Sequence, residues 1–217
     1  HDEMWDEKDG FFYDVLRLPD GSAVRLKVRS MVGLLPLCAS TIFEPDAVVA
    51  HPRLLELIRL FRERHPEVVA HVAPTDEGYV GHGGRRLLSP LSREKLERVL
   101  RYLVDENEFL GPFGIRSLSR HHAEHPFEFR VGGEVHRVSY LPAESDTGMF
   151  GGNSNWRGPV WMPVNALIVR GLLNLYAFYG DDFTIECPAG SGQHMTLFGI
   201  AQEISRRLPR TFLRDER

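Results

Sequence analysis

The order of periodic segments restricts this fold more than anything else in the sequence. Apolar stripes at helical spacing and glycine-turned hairpins follow one another, with no strand-helix-strand alternation. A parallel sheet needs that alternation, so doubly wound and barrel-type α/β folds are excluded. The stripes are clear. Pro52 opens one that carries Leu54, Leu55, Leu57, Ile58, Leu60 and Phe61 to about Arg64. Ser92 is an N-cap for Leu96, Val99, Leu100 and Leu103. A third starts near Pro163, carries Val164, Leu167, Ile168, Leu172 and Leu175, and stops at Gly180. The last holds Met195, Phe198, Ile200, Ala201, Ile204 and Leu208, and residues 32–40 are also helix-compatible despite Pro36. Residues 11–16 and 23–28 flank Pro19-Asp20-Gly21, and residues 127–131 and 134–139 flank Gly132-Gly133. Both pairs read as β-hairpins. One mainly α domain with long decorated loops is the expectation.

Composition removes several functions. The net charge is −4, with 42% hydrophobic and 26% charged residues, so there is no basic stripe for nucleic acid. No run approaches the ~18 apolar residues of a membrane helix. Cys38 and Cys187 are too few for a disulfide framework and not in metal-ligand spacing, so they read as small buried apolar groups. No signal peptide opens the chain, and a cytoplasmic location is the default expectation.

Two loops concentrate chemistry. The first runs from Trp5 through Asp6, Glu7, Asp9 and Gly10 to Phe11, Phe12, Tyr13 and Asp14. The second holds Gly151-Gly152-Asn153-Ser154-Asn155-Trp156-Arg157-Gly158-Pro159-Val160-Trp161. Aromatic rings beside Asp, Asn and Arg suit a sugar, whose C–H face packs on a ring while its hydroxyls need forked donors and acceptors. The competing reading buries the aromatics beside a hairpin or a helix start, with solvated acids between. Phosphate is a poor alternative, because Gly151-Gly152-Asn153-Ser154 lacks the Gly-Lys-Ser/Thr ending of a P-loop. Gly190-Ser191-Gly192 matches no nucleophile elbow. His121, His122 and His125 invite zinc, but no third ligand stands out and Glu124 is misplaced for HExxH, so an ordinary loop cluster is preferred. His82 reads as structural. Arg116-Ser117, between apolar neighbours, needs a partner and either fixes a loop or meets a ligand.

At these same residues the chain resembles the catalytic domain of glycoside hydrolase family 63, which includes mannosyl-oligosaccharide glucosidases and mannosylglycerate-hydrolase-like proteins. The resemblance rests on Trp5-Asp6-Glu7, Asp9-Gly10-Phe11-Phe12-Tyr13-Asp14, Arg29-Ser30-Met31-Val32-Gly33-Leu34-Leu35-Pro36-Leu37 and Gly114-Ile115-Arg116-Ser117-Leu118-Ser119. It continues through the second loop, Tyr179-Gly180-Asp181-Asp182 and Cys187-Pro188-Ala189-Gly190-Ser191-Gly192.

The resemblance implies a partial (α/α)6 toroid with two short β-hairpins in its loops, residues 1–217 being one segment of the catalytic domain truncated at both ends. It implies inverting hydrolysis of an α-glycosidic bond in an α-glucoside or a mannosylglycerate-like glycoside. An acid protonates the leaving oxygen, and an opposing carboxylate activates water. The family's general acid, an Asp, lies upstream of the Trp5 segment, and its general base, a Glu, lies downstream of the helix ending near Arg207. Neither Asp9, Asp14, Glu144 nor Glu186 is therefore assigned as acid or base, and no catalytic residue is expected in the chain. The residues carried over as substrate-binding are Trp5, Asp6, Asp9, Trp156, Arg157 and Trp161. No cofactor or metal is expected. The partner is a carbohydrate, with neither nucleic acid nor membrane, and self-association through uncovered apolar edges is expected of an inactive isolated segment. A rival reading from another class is a carbohydrate-binding or scaffold module derived from such an enzyme. The flanking reading frame separates the two.

Overall fold

A computed structural model describes residues 4–66, 80–142 and 159–213. Two short ladders open the chain: β1 (Trp5–Asp6) with β2 (Phe11–Phe12), and β3 (Asp14–Arg17) with β4 (Ala23–Leu26). A 3-10 segment, Met31–Cys38, leads to β5 (Thr41–Phe43), then α1 (Pro45–Ala50) and α2 (Pro52–Arg64). β6 (Arg86–Leu88) returns to pair with β5, and α3 (Arg93–Leu103) follows. Next come β7 (Leu110–Gly111) with β8 (Gly114–Ile115), and the hairpin β9 (Phe127–Val131) with β10 (Glu134–Val138). The chain then forms α4 (Met162–Tyr179), the pair β11 (Thr184–Glu186) and β12 (His194–Thr196), and α5 (Leu197–Arg207).

This corrects the expected fold class. Among the described residues there are five α-helices and six antiparallel two-stranded ladders, so the class is mixed α/β and not a mainly α partial toroid. Both expected hairpins are present, but four further ladders join loops to one another. Three of these four are built from strands of two or three residues; the fourth pairs β11 with β12, also three residues each. Strands that short show no alternation to read, and their pairing is decided by the neighbours they meet. The helix-compatible stretch at residues 32–40 is a tight 3-10 run over Met31–Cys38 rather than an α-helix, and Met195 lies in a strand that precedes the last α-helix.

One apolar core joins α3, α4, α5 and the 3-10 run. α3 buries Leu96, Val99, Leu100 and Leu103; α4 buries Ile168, Leu172, Leu175 and Phe178; α5 buries Leu197, Ile200 and Ile204. The expected cap is in place, with Ser92 accepting from the Lys95 N–H at 3.3 Å. Gly171 lets α4 approach the 3-10 run, since a Cβ there would stand 2.4 Å from the Leu37 carbonyl oxygen. Both cysteines are free thiols, with Cys187 buried and Cys38 half-buried. No helix among the described residues is long and apolar enough to cross a membrane.

Candidate functional site: a charged cleft beside the first turn

The turn between β1 and β2 builds one wall of the site. Gly10 closes it at φ 69°, a conformation that favours glycine, and a Cβ there would lie 2.4 Å from Arg98 Nε. The Asp9 N–H donates to Asp6 Oδ1 at 2.9 Å, and the Gly10 N–H to the Asp6 carbonyl at 2.7 Å. The second ladder supplies the counter-charges. Arg25 and Lys27 reach Asp6 Oδ2 at 3.1 and 2.9 Å, and Lys27 also reaches Asp9 Oδ2 at 3.0 Å. The Lys27 hydrogen bond, with help from the Asp9 amide, holds the Asp6 carboxyl down at about 2 against its burial.

A second charged set faces the first. Arg29 pairs with Glu108, and the Ser119 hydroxyl donates to the other Glu108 oxygen. Burial pushes the Glu108 carboxyl up, opposed by these two partners. The Arg29 guanidinium lies 5.1 Å over the Tyr102 ring, whose hydroxyl donates to the Asp9 carbonyl at 2.6 Å. The Tyr13 hydroxyl donates to Asp9 Oδ2 at 3.0 Å, and burial keeps that phenol protonated well above its ordinary range.

Between the two sets opens a cleft of ≈ 420 Å³. Asp9, Tyr102, Asp105 and Glu108 line it, with the cations Lys8, Arg98 and Arg101. Arg98 is held by Glu7 at 2.6 Å, whereas Lys8 and Arg101 make no ion pair among the described residues. Asp9 Oδ1 likewise has no partner among the described residues, because both of its side-chain bonds fall on Oδ2. The cleft therefore offers fixed carboxylate acceptors, a half-buried phenol and two uncommitted cations. Such a set matches the mixed donor and acceptor rim of a polyhydroxylated ligand.

The six sequence-derived site residues separate into three groups. Trp5, Asp6 and Asp9 come together in the first turn. Trp5 is only 7% exposed, with Phe12 at 4.7 Å and the Lys95 and Arg98 cations 5.2 and 5.3 Å from its ring. Its indole N–H donates to Glu7 at 2.6 Å. Trp161 is half-buried against the main core at the start of α4 and does not line the cleft. Trp156 and Arg157 lie outside the described residues, as does Glu144.

Residues 114–119 connect Trp161 with the cleft. Asn165 accepts from the Ile115 N–H at 2.7 Å and donates to the Trp161 carbonyl at 3.0 Å. The Ser117 N–H donates to the Pro159 carbonyl, the Met31 N–H to the Ser117 carbonyl and the Ser119 N–H to the Arg29 carbonyl, each at 2.9 Å. The stem of the second loop and the Arg29 wall are thus sewn to opposite ends of one segment. Arg116 serves as a loop fixer here, donating to the Glu106 and Glu108 carbonyls at 3.0 and 3.2 Å. The three histidines do not converge on a point. His121 and His125 stack at 4.4 Å, His122 spends both ring nitrogens on backbone, and among the described residues no group of three His, Cys, Asp or Glu could hold a metal ion.

Residues 87–210 match the mannosylglycerate hydrolase MGH1-like glycoside hydrolase domain. The chain belongs to this family. The resemblance read from the motifs is thus borne out as a partial domain of that kind, and the matched span takes in Tyr102, Glu108, the histidines and Trp161. The chain is also similar to an uncharacterized protein of Saccharomyces cerevisiae, YMR196W, at 44% identity over 214 residues. That match covers 98% of this chain and 19% of the yeast protein, so the chain spans less than a quarter of that relative's length.

Sequence reasoning missed Arg98, Arg101, Tyr102, Asp105 and Glu108 as cleft residues and Lys27 as the counter-charge of the first turn, and quoted Arg29 only within a motif. Arg29 and Glu108 are 79 positions apart, a separation that leaves no local signal. One hint was available. Glu108 precedes the apolar pair Phe109-Leu110, both fully buried, and a carboxylate drawn in beside them needs a cation.

Proposed function

We propose that this glycoside hydrolase-like domain contacts the sugar in a glycosidase that cleaves an α-glycosidic bond with inversion. The substrate is an α-glucoside or a mannosylglycerate-like glycoside. The family match over residues 87–210 carries the reading, and the mixed polar cleft supports it. In this account Asp9 Oδ1 and Tyr102 take sugar hydroxyls, while Lys8 and Arg101 guard the rim. Trp5 and Asp6 shape the wall from behind, Trp156 and Arg157 are assigned further sugar contacts from the second loop, and Trp161 braces the stem of that loop outside the cleft.

Inversion needs an acid and a base about 6.5–9.5 Å apart with water between them. Asp9 is tied to Lys27 and Tyr13, and Glu108 to Arg29 and Ser119. Carboxylates so engaged serve as rigid acceptors rather than as proton carriers. Neither of these two carboxylates is accordingly assigned as the acid or the base. The same engagement of Asp9 Oδ2 and of both Glu108 oxygens favours the second reading, a sugar-binding module without catalysis.

Titration of the purified chain with mannosylglycerate and with methyl α-glucoside tests both readings. Heat of binding that Arg157→Ala and Trp156→Ala abolish supports sugar contact. Binding without turnover by the longer natural polypeptide selects the module, and turnover there selects the enzyme. No binding of either glycoside by the chain or by the longer polypeptide contradicts both.

A further inference from the structure

His122 is 3% exposed, titratable, and has no part in the proposed sugar contacts. Its neighbours fix its proton. The Arg29 backbone N–H donates to Nε2 at 2.9 Å, so Nε2 must carry a lone pair. Nδ1 lies 2.9 Å from the His125 carbonyl, which only accepts, so the proton sits on Nδ1. The ring is therefore a neutral imidazole with one defined tautomer. Its own backbone carbonyl accepts from the Tyr140 N–H at 3.1 Å, which ties the turn to the end of the β9–β10 hairpin. What it grips is the residue whose side chain pairs with Glu108 and covers Tyr102.

We infer that His122 is a positioning residue for Arg29 and works as an acid-sensitive latch on the cleft wall. A proton taken from solvent onto Nε2 turns the acceptor into a second donor, directed at an N–H. The Arg29 bond then breaks and the backbone at residues 28–30 must move or the ring must turn. Only the His125 carbonyl, already bonded at Nδ1, favours the new charge. The Arg29 guanidinium and the His125 ring both oppose it, the His121 ring stands edge-on at 5.4 Å, and no carboxylate pairs with the ring among the described residues. Burial first, then the Arg29 charge, holds His122 below its ordinary range. His121 is pushed to about 4 by burial and Arg29, so it stays neutral over the upper part of the same acid range.

The sign follows. The native state prefers the neutral ring, so the latch is at full strength above the ordinary histidine value of 6.5, weakens as pH falls below it and opens through the lowered native value. The latch is stated independently of what the cleft binds, and its test needs no sugar. Amide exchange of Arg29, corrected for intrinsic chemistry, is followed by NMR in the 217-residue chain from about pH 7.5 to about pH 5, with ring 15N shifts reporting the tautomer. The expected result is an Nδ1–H tautomer at neutral pH and an Arg29 protection factor that drops about tenfold on acidification, as one lost hydrogen bond implies. His122→Gln, which keeps an acceptor that does not titrate, should remove that pH dependence, while His125→Gln should leave it. Arg29 protection that ignores pH in the wild-type chain, a drop that survives in His122→Gln, or an Nε2–H tautomer at neutral pH overturns the proposal.

Discussion

The cleft wall and the α4–α5 core are held together by different physics. In the core, Ile168, Leu172, Leu197 and Ile200 are all 0% exposed and belong to one apolar cluster. Their stability comes from area removed from water, about 25 cal/mol per Å², and depends little on pH or salt. Across the cleft, Asp6, Asp9 and Glu108 are held by Arg25, Lys27, Arg29, Tyr13 and Ser119. These contacts are directional, and the ion pairs among them act only while both partners keep their charge. The core makes a fold, and the wall makes a fixed arrangement of acceptors on it. A site can thus fail while the fold survives.

The largest expected effect breaks the core side of this contrast. Leu172→Ala should cost about 2–5 kcal/mol, because a leucine void in close packing cannot collapse fully. Urea unfolding should show the midpoint falling by the same amount at about pH 5 and about pH 7, as apolar burial predicts. Cost that changes strongly with pH would show that charge reaches into this core.

Next in size is Glu108→Ala, which strands Arg29 in a place where its side chain is only 18% exposed. Breaking a buried pair costs about 3–5 kcal/mol, and the partial exposure here puts the expected loss near the lower end. Replacing both partners, with Arg29→Met and Glu108→Leu, should recover most of it. A double-mutant cycle with no coupling would mean that the pair does not brace the wall.

A smaller effect comes from acid. Asp6 is held at about 2 against an ordinary 3.8, so its contribution is complete above 3.8 and disappears as pH falls through about 2. His121 is held at about 4 against 6.5, so the native state prefers its neutral ring, and that contribution shrinks as pH falls from 6.5 towards 4. Both act in the same direction. Hydrogen exchange should therefore show residues 5–14 and 25–29 opening before α4 and α5 on acidification. The reverse order would contradict the division of the molecule into two regimes.

The smallest effect is at the rim. Arg98→Ala removes an ion pair whose Glu7 partner is 75% exposed, and exposed pairs contribute about 0–1 kcal/mol. Its visible result should be a change in Trp5 emission, since the Arg98 cation lies 5.3 Å from that ring. Unchanged emission would mean that the cation is not over the indole in solution.

The same contrast explains what the sequence discloses. Ser92, Leu96, Val99, Leu100 and Leu103 announce α3 because cap and stripe are local, and the Gly132-Gly133 turn announces its hairpin in the same way. The β5–β6 ladder is not announced, since Thr41 pairs with Leu88 across 47 positions and three residues carry no period. For the same reason the mainly α expectation failed. The first turn was legible as a site because Trp5, Asp6 and Asp9 lie within five positions, and the structure keeps them together. Their partners Arg25, Lys27 and Tyr102 are supplied by folding, from segments with no shared local pattern.

The central claim is that the hollow beside Asp9 and Tyr102 receives a sugar. Titrating the 15N-labelled chain with methyl α-glucoside and with mannosylglycerate, and mapping which amides shift, tests it most directly. The account predicts saturable shifts at Asp9, Tyr102, Asp105 and Glu108 with the α4–α5 core silent. Shifts confined to the β9–β10 hairpin, or none at saturating glycoside, would contradict it.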